Sequence, residues 1–316
     1  MQSFIKCSLP DRRFMEIPFK KIELADRELM EHYLKQKIYR SCELVFPNIY
    51  LWSRKYPVDY AIVEDTLIFR SLAECEGTSI TFPAGEKEQV HKALDSMIQW
   101  FQEQKQEMHM HLVQEQEFEL LSLWYPGMFE VEYDRDSADY VYETEKLITL
   151  SGKKLHGKRN HINKFKEQYP DWCYEPITKD NVEECFQMAL EWRNINQCEW
   201  DAEKRDEMCV TLNALRLLEE LHLTGGLVRA GGRVIAFSIG EPLNPDTFVV
   251  HIEKAFADIQ GAYPIINQQF AEHAAKDYLY TNREEDTGSE GLRKAKLSYR
   301  PVFLVEKGMV KKTGGK

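Results

Sequence analysis

Apolar and polar residues along the first half of the chain follow patterns that predict alternating strands and helices. Residues 58–71 contain two β-rich runs around an acidic turn, as expected of a hairpin. Over residues 87–104, apolar residues recur at three- and four-residue steps, as expected of a helix. The predicted order is a hairpin over 58–71, a strand over 78–85, a helix over 87–104, a strand over 107–113, a helix over 115–126 and a strand pair over 127–133 and 139–143.

The second half of the chain repeats this order. Its predicted elements are a hairpin over 225–240, a strand over 247–256, a helix over 264–276, a strand over 277–284, a helix over 290–299 and a closing strand over 301–310. Five elements in the same order, offset by roughly 170 residues, indicate a duplicated α/β unit. We therefore expect an α/β (α+β) protein with two tandem domains, residues 1–147 and 148–316.

Composition and charge narrow the class of protein. The 316 residues carry a formal net charge of −11, which argues against a general nucleic-acid coat protein but allows a local basic patch. The seven cysteines are scattered and never spaced C-x-x-C, so we expect reduced thiols in the cytoplasm and no metal site. The N-terminus lacks the apolar core of a signal peptide, and no apolar run approaches the roughly 20 residues that span a bilayer.

A strongly basic segment joins the two predicted domains. Residues 153–166 contain six lysines or arginines, two histidines and no acid. A helix here would bury one apolar stripe and turn its cations outward; the stripe is Leu155, Ile162, Phe165 and Tyr169, and the cations are Lys158, Arg159 and Lys166. Lys158 and Arg159 form a candidate patch for the phosphates of tRNA, a lipid head group or a nucleotide. The alternative is a solvated helix that pairs with the acidic body.

Three stretches of sequence together resemble the DUF2156 family, which is related to the C-terminal domain of phosphatidylglycerol lysyltransferase. They are residues 153–165, 250–273 and 282–301, and the resemblance extends over about residues 18–310. It implies two tandem GNAT-like (acyl-CoA N-acyltransferase) domains, each a mixed central sheet flanked by helices, as in the tRNA-dependent aminoacyltransferases. It also implies transfer of an acyl or aminoacyl group to an amine or hydroxyl.

The resemblance assigns the pyrophosphate of coenzyme A to a turn at a helix N-terminus, here Gln260, Gly261 and Ala262. Free backbone N–H groups and the positive end of the helix dipole attract phosphate at such a turn. The next two residues, a tyrosine and a proline, depart from the family's Q/R-x-x-G-x-G/A pattern and weaken ordinary coenzyme A binding. The alternative is a glycine that merely joins strand to helix. The first half carries Glu86 at the corresponding place, so we expect its domain to be non-catalytic.

His251 and Glu253 are the candidate bases for catalysis. They alternate along one predicted strand, so both side chains are expected on one face. Glu253, or else His251, would take a proton from the attacking amine; the alternative is a buried histidine and an ion-paired Glu253. The resemblance adds Tyr299, near where GNAT enzymes often place a tyrosine that protonates the leaving group. The alternative is a buried stripe of Leu292, Ala295 and Tyr299.

Residues 282–301 carry acids first and bases later. Because ligand sites gather at the carboxyl ends of parallel strands, the end of the predicted strand over 277–284 should line the cleft. Glu284 and the nearby acids would position a cationic substrate, and a basic helical face would suit phosphate. The predicted substrate-binding residues are Asn282, Arg283, Glu284, Asp286, Arg293 and Lys296. The alternative is that these charges only complement the helix dipole.

Together these patterns predict a cytoplasmic transferase that acts through its C-terminal domain on a small-molecule amine or hydroxyl acceptor. The donor substrate is an aminoacyl-tRNA or an acyl-CoA, and the altered phosphate turn with the basic segment favours aminoacyl-tRNA. A tRNA is therefore a candidate partner, and peripheral contact with lipid is compatible with the sequence. Two alternatives stay open: an acyl-CoA-dependent N-acetyltransferase, and a non-catalytic GNAT-like pair that binds a small phosphate-bearing ligand or nucleic acid.

Overall fold

The computed structural model describes residues 16–36, 39–73 and 77–313. Its first-half elements are β1 (Lys20–Lys21), α1 (Arg27–Leu34), α2 (Phe46–Trp52), β2 (Val58–Val63), β3 (Thr66–Ala73), β4 (Gly77–Thr81), α3 (Lys87–Gln104), β5 (His109–Val113), α4 (Glu115–Trp124), β6 (Phe129–Tyr133), β7 (Asp139–Glu143) and α5 (Thr144–Thr149). The predicted hairpin corresponds to β2 and β3. Two of the seven cysteines, Cys7 and Cys75, lie outside the described residues, and the five described ones are free thiols.

The second half begins with a helix formed by the basic segment. Its elements are α6 (His156–Gln168), β8 (Cys173–Pro176), α7 (Val182–Ile195), α8 (Ala202–Arg216), β9 (Thr224–Ala230), β10 (Arg233–Asn244), β11 (Thr247–Ala255), α9 (Ala262–Phe270), β12 (Tyr280–Asn282), α10 (Glu290–Leu297), β13 (Phe303–Val305) and β14 (Gly308–Lys312). A π-helical turn, Ala271–Ala275, continues α9. The apolar run predicted as one closing strand is divided into β13 and β14.

The strands form two mixed sheets of seven strands each. The first sheet has the order β1-β2-β3-β4-β5-β14-β6, and the second has the order β8-β9-β10-β11-β12-β7-β13. The parallel pairs are β4 with β5 and β11 with β12, and the other neighbours are antiparallel. Helix α3 contacts the first sheet and α9 contacts the second. The predicted fold class, two mixed sheets flanked by helices, is confirmed.

Each sheet receives one strand from the other half of the chain. Strand β7 lies between β12 and β13, and β14 lies between β5 and β6. The first four residues of β7 are buried, as expected of a strand covered on both faces. One internal strand of each sheet therefore comes from the other side of residue 147, the predicted boundary between the two domains.

The apolar core of the second sheet extends into the first-half helices α1 and α2. Met30 of α1 and Phe46 of α2 are buried in the same cluster as Phe237 and Ile266. A separate cluster fills the space between the first sheet and α3. Burial of apolar surface thus holds α1, α2 and the second sheet together as one packed unit.

Candidate active site

The second sheet opens where its two parallel strands separate. Strands β11 and β12 pair over only three residues, with Val249 opposite Asn282 as the last pair. Beyond this pair β11 continues to Ala255, while the chain after Asn282 turns away toward α10. The polar side chains of both segments therefore meet across a gap at the carboxyl ends of parallel strands, where ligand sites gather in such sheets.

The five successive side chains of residues 282–286 each contact a different partner. These partners lie on β7, on β11, just before β14 and on α10. The pairs and their nearest distances are Asn282 with Asp139 at 2.9 Å, Arg283 with Glu253 at 2.9 Å, Glu284 with His251 at 2.7 Å, Glu285 with Lys307 at 3.6 Å and Asp286 with Arg293 at 2.7 Å. The charge pattern of this stretch thus has a structural use beyond complementing a helix dipole.

Glu253 and Arg283 form the centre of the gap. Arg283 Nη2 donates to Glu253 Oε1 at 2.9 Å, and Asn267 Nδ2 donates to the second carboxylate oxygen at 3.1 Å. The Glu253 side chain is 14% exposed and that of Arg283 is 11% exposed. Burial disfavours the charged guanidinium, but Glu253 outweighs burial and raises the pKa of Arg283. Arg283 therefore keeps its charge, and the pair still reaches the surface.

Lys158 and Tyr299 border this pair. Lys158 Nζ lies 4.1 Å from the centroid of the Tyr299 ring, and the Arg283 guanidinium carbon lies 4.9 Å from the same ring. The prediction that Lys158 faces outward is therefore corrected: it is half-buried because the aromatic face attracts the ammonium. Burial, helped by Arg283, lowers the pKa of Lys158, and burial raises the pKa of the Tyr299 phenol.

A β-bulge separates His251 from Glu253. Ile239 pairs with Ile252 and Gly240 pairs with Val250, so His251 is the extra residue of β11. Its Nδ1 lies 2.7 Å from Glu284 and its Nε2 lies 3.0 Å from Glu241. The two side chains therefore reach different neighbours and do not share surroundings as the strand alternation predicted.

The contacts of His251 favour its protonated form, which cannot accept a further proton. Burial lowers its affinity for a proton, but the carboxylates of Glu241 and Glu284 outweigh burial and raise the pKa of His251 to about 10. At neutral pH both ring nitrogens carry protons and both are in use. The geometry thus favours Glu253 over His251 as the proton acceptor.

Helix α10 directs Lys296 at the protein. Lys296 is buried and its Nζ donates to the carbonyl oxygens of Arg283, Glu284 and Glu285. These contacts fix a strained turn, because Glu284 has a φ of 58° in the left-handed region. Of the stripe considered from sequence only Tyr299 is buried, since Leu292 is 41% exposed and Ala295 is also exposed.

Asp286 lies in the same turn, and its hydrogen bonds hold the part of the turn that leads into α10. The buried carboxylate accepts from Arg293 Nε at 2.8 Å and from the backbone of Gly288 at 3.0 Å. The Arg293 guanidinium holds the pKa of the Asp286 carboxyl well below its usual range. Gly288 has a φ of 76°, and a Cβ there would lie 2.8 Å from Asp136. Arg293 and Lys296, predicted to meet phosphate, thus hold the loop of the site in this structure.

Helix α6 covers the turn predicted to hold pyrophosphate. Gly261 and Ala262 are buried, and a Cβ on Gly261 would lie 2.6 Å from the carbonyl oxygen of His161 and 2.8 Å from Cβ of Phe165. Gln260 stays exposed, with its amide 3.5 Å from the ring of His161. Gly261 therefore packs directly against α6, and the N–H group of Ala262 donates to the carbonyl oxygen of Ile259 at 3.1 Å.

The N-terminal end of α6 lines a second cleft. This cleft of about 380 Å³ is lined by Gly152, Lys153, His156 and Arg159. Arg159 Nη1 donates to the carbonyl oxygens of Leu150 and Gly152, which fixes its position. Of the predicted phosphate patch, Arg159 lines this cleft while Lys158 points to Tyr299. Lys153 and His156 were part of the basic run but were not singled out.

Two residues at the gap were missed from the sequence. Asn267 is buried on α9, where a polar residue among apolar neighbours was the available signal. Tyr142 lies on β7, with its ring 5.7 Å from the Arg283 guanidinium carbon. No local pattern could have assigned Tyr142, because it reaches the second sheet only through the exchanged strand.

A partly buried cluster next to the gap has the donor atoms of a metal site but holds an ammonium group. Donor atoms of Cys42, Glu43, Asp139 and Glu285 lie within 4.8 Å of one another. Lys307 Nζ lies 2.5 Å from Glu43 and 2.7 Å from Asp139. The lysine thus supplies the positive charge among these carboxylates.

The geometry agrees with the family to which the chain belongs. The family model described as phosphatidylglycerol lysyltransferase, C-terminal, matches residues 37–311. This match covers most of the chain, so the protein is a member of that family, and the resemblance stated from sequence is confirmed.

Solved structures share the fold of this chain. A conserved protein of unknown function from Bacteroides thetaiotaomicron is 40% identical, with a TM-score of 0.89 over 94% of this chain and 100% of that chain. L-PGS from Bacillus licheniformis shares the fold at 14% identity, with a TM-score of 0.65 over 92% of this chain and 93% of that chain. The C-terminal domain of a putative lysylphosphatidylglycerol synthetase from Agrobacterium fabrum does so at 12% identity, with a TM-score of 0.66 and the same coverage.

A curated relative covers less of the protein. An uncharacterized protein of Mycoplasmoides gallisepticum is 29% identical over 193 residues, which are 60% of this chain and 61% of the relative. Among the helices that the structure describes, none combines the length and apolar character needed to cross a bilayer.

Proposed function

We propose that this protein transfers an acyl or aminoacyl group to the amine or hydroxyl of a small-molecule acceptor, at the gap between β11 and β12. The observation that carries the proposal is the Glu253–Arg283 pair, which is partly exposed between separated parallel strands and bordered by Lys158 and Tyr299. Membership in the phosphatidylglycerol lysyltransferase C-terminal family supports transfer chemistry of this class.

Each residue of the gap has a role in this reaction. Glu253 accepts the proton of the attacking nitrogen or oxygen as the new bond to the carbonyl carbon forms. Arg283 and Lys158 stabilise the negative charge that develops on the carbonyl oxygen. The intermediate then breaks its bond to the donor oxygen, and the neutral phenol of Tyr299 protonates that leaving group.

An aminoacyl-tRNA donor fits the surroundings better than an acyl-CoA donor. Helix α6 covers Gly261 and Ala262, so the pyrophosphate of coenzyme A would meet the helix at this turn. The cleft of Lys153, His156 and Arg159 offers cations to a phosphate backbone instead. The cytoplasmic location expected from the cysteines is part of the proposal.

Transfer assays with the full chain test the reaction. Purified protein is incubated with a mixture of radiolabelled aminoacyl-tRNAs or with acetyl-CoA, and transfer to added amines and alcohols is followed. We expect transfer from aminoacyl-tRNA, lowered about 100-fold or more by Glu253→Gln because the proton acceptor is lost. Asp59→Asn is the matched control, since Asp59 pairs with Arg70 in a similarly half-buried ion pair of the first sheet; its activity should stay within about twofold.

The outcomes separate the candidate activities. Transfer from acetyl-CoA alone would favour the N-acetyltransferase, and an unchanged rate in Glu253→Gln would remove Glu253 as the base. Absence of transfer from either donor, with tRNA still bound, would overturn the transferase proposal in favour of a binding protein. Binding of tRNA itself should weaken in Lys153→Glu, with a flatter dependence on salt concentration.

A further inference from the structure

Unpaired buried polar atoms are concentrated around Glu253. Across the residues that the structure describes, six buried side-chain nitrogen or oxygen atoms lack a hydrogen-bond partner. Three of these belong to the surroundings of Glu253: Arg283 Nη1, Asn267 Oδ1 and Ser238 Oγ. A buried polar group without a partner is unfavourable and rare in folded proteins, so three beside one carboxylate indicate a position shaped for a ligand.

The three atoms adjoin the same carboxylate for separate reasons. Arg283 donates to one oxygen of Glu253 through Nη2, and Asn267 donates to the other through Nδ2. The unpaired atoms, Arg283 Nη1 and Asn267 Oδ1, belong to the same guanidinium and the same amide. Ser238 is the residue directly opposite Glu253 on β10, so both side chains project from the same face of the sheet. Ser238 is fully buried and Asn267 is 3% exposed, whereas Glu253 is 14% exposed. Glu253 thus connects the buried atoms to the surface.

The chemistry of these atoms selects a ligand that donates hydrogen bonds. The bond from Asn267 Nδ2 to Glu253 leaves the amide oxygen as an acceptor. Glu253 and the Ser238 hydroxyl supply further acceptors, while Arg283 Nη1 supplies a donor next to them. A primary amine places two or three N–H donors on one nitrogen, which a hydroxyl does not. An oxygen on the second carbon from that nitrogen would accept from Arg283.

We propose that Ser238 and Asn267 form, with Glu253, a subsite for a primary amine that carries an oxygen on its second carbon. This inference deepens the proposed function and rests on it, because it names the chemical group held beside the proton acceptor. Two sources contain this unit, the amino end of an aminoacyl ester and an amino alcohol acceptor. Ser238 and Asn267 are positioning residues for this group.

Calorimetry on the full chain tests the subsite with three probes: alanine methyl ester, ethanolamine and N-acetylalanine methyl ester. We expect at least one of the two primary amines to bind and the N-acetyl compound not to bind. Binding of the ester alone identifies the donor as the source, and binding of ethanolamine alone identifies the acceptor. If neither amine binds, or if the N-acetyl compound binds equally well, the proposal is overturned.

Variants separate recognition from folding. Ser238→Ala removes an unpaired hydroxyl, so its Tm should equal or exceed that of the wild type, while amine affinity falls about tenfold. Thr66→Val is the matched control, because Thr66 is also fully buried but donates to the carbonyl of Val63 at 2.8 Å. It should lower Tm and leave amine binding unchanged.

The same variants distinguish this inference from the proposed function. Unchanged amine affinity in Ser238→Ala, with transfer activity intact in the wild type, would overturn the subsite alone. Amine binding that depends on Ser238, in a protein that transfers nothing from any donor, would overturn the transferase and leave the subsite standing.

Discussion

The two sheets separate at equivalent places, yet the first gap is lined mainly by apolar side chains and the second by ion-paired ones. Gly85 follows the last parallel pair of the first sheet at the same distance along the chain as Glu253 follows that of the second sheet. On the neighbouring strand, Leu112 corresponds to Arg283 in the same way. In the first sheet Ala84 exchanges two backbone hydrogen bonds with Leu67, so the chain after β4 stays attached to β3. The remaining cavity is about 10 Å³, lined mainly by apolar residues and by Glu117.

This difference shows which features make a site. Both gaps come from the same order of strands and the same parallel pair, so the scaffold alone does not supply chemistry. In the first sheet backbone pairing and apolar side chains close the space. In the second, a bulge at His251 and ion pairs along residues 282–286 keep charged groups beside the gap. The comparison predicts that damage to the first gap affects stability and damage to the second affects activity.

The largest expected effect on stability comes from Phe82→Ala. Phe82 lines the closed first gap and is 7% exposed, so its loss leaves a cavity that should lower the free energy of unfolding by about 3–5 kcal/mol. Urea unfolding measures this change. At a temperature where the variant remains folded, transfer activity should stay within about twofold, and a larger loss would contradict the division of roles.

Substitution of the glycine before each equivalent helix, Gly85 before α3 and Gly261 before α9, should lower stability by different amounts. Gly261 has a φ of 93° and faces the backbone of His161 at 2.6 Å, whereas Gly85 has no such φ and faces chiefly the Thr66 side chain at 2.8 Å. We expect Gly261→Ala to cost about 2–3 kcal/mol and Gly85→Ala about 1 kcal/mol, as measured by urea unfolding. Equal costs would mean that α6 does not press on the Gly261 turn.

The charged gap should also make stability depend on pH. The pKa of His251 is about 10 in the folded protein and 6.5 as a reference for the unfolded chain. Its contribution is therefore fully present below pH 6.5 and is lost as pH rises through 10. Burial also raises the pKa values of Glu241 and Glu284, and these shifts act in the same direction, because a group with a higher pKa in the folded protein loses its stabilising contribution as the pH rises. We expect a net loss of at least about 2 kcal/mol.

Urea unfolding of the wild type and of His251→Gln across this range measures the effect. The variant should start less stable at neutral pH and lose less as the pH rises. Parallel curves for the two proteins would show that His251 is not held as a cation between the carboxylates.

Local sequence patterns predicted much of the fold, because a strand or helix that is buried on one face repeats its apolar residues at a characteristic spacing. They predicted the β2–β3 hairpin, α3 and the buried stripe of α6, with Tyr169 only half-buried. They did not predict the exchange of strands. In the run over 301–310, Glu306 and Lys307 separate two apolar stretches, but only pairing with distant strands decides that β13 joins one sheet and β14 the other.

The candidate site was predicted in part. Glu253 was identified because it alternates with His251 along a predicted strand, and Arg283 because charged residues end the predicted strand over 277–284. The separation of His251 from Glu253 could not be foreseen, since one bulge changes the alternation of a strand. The inward position of Lys296 was equally hidden, because three carbonyl oxygens from a distant turn are what make its burial favourable.

The exchange of β7 and β14 also bears on how the protein is made. During synthesis β5 and β6 exist long before residues 308–312, the strand that lies between them. Until β14 arrives, both neighbours expose unpaired backbone edges, which are prone to pair with other chains. The first half therefore cannot complete its sheet as a nascent chain, although N-terminal domains commonly fold first. A chain that ends just before residue 308 would keep every strand of the second sheet, but in the first sheet β5 would become an edge and β6 would lack its neighbour.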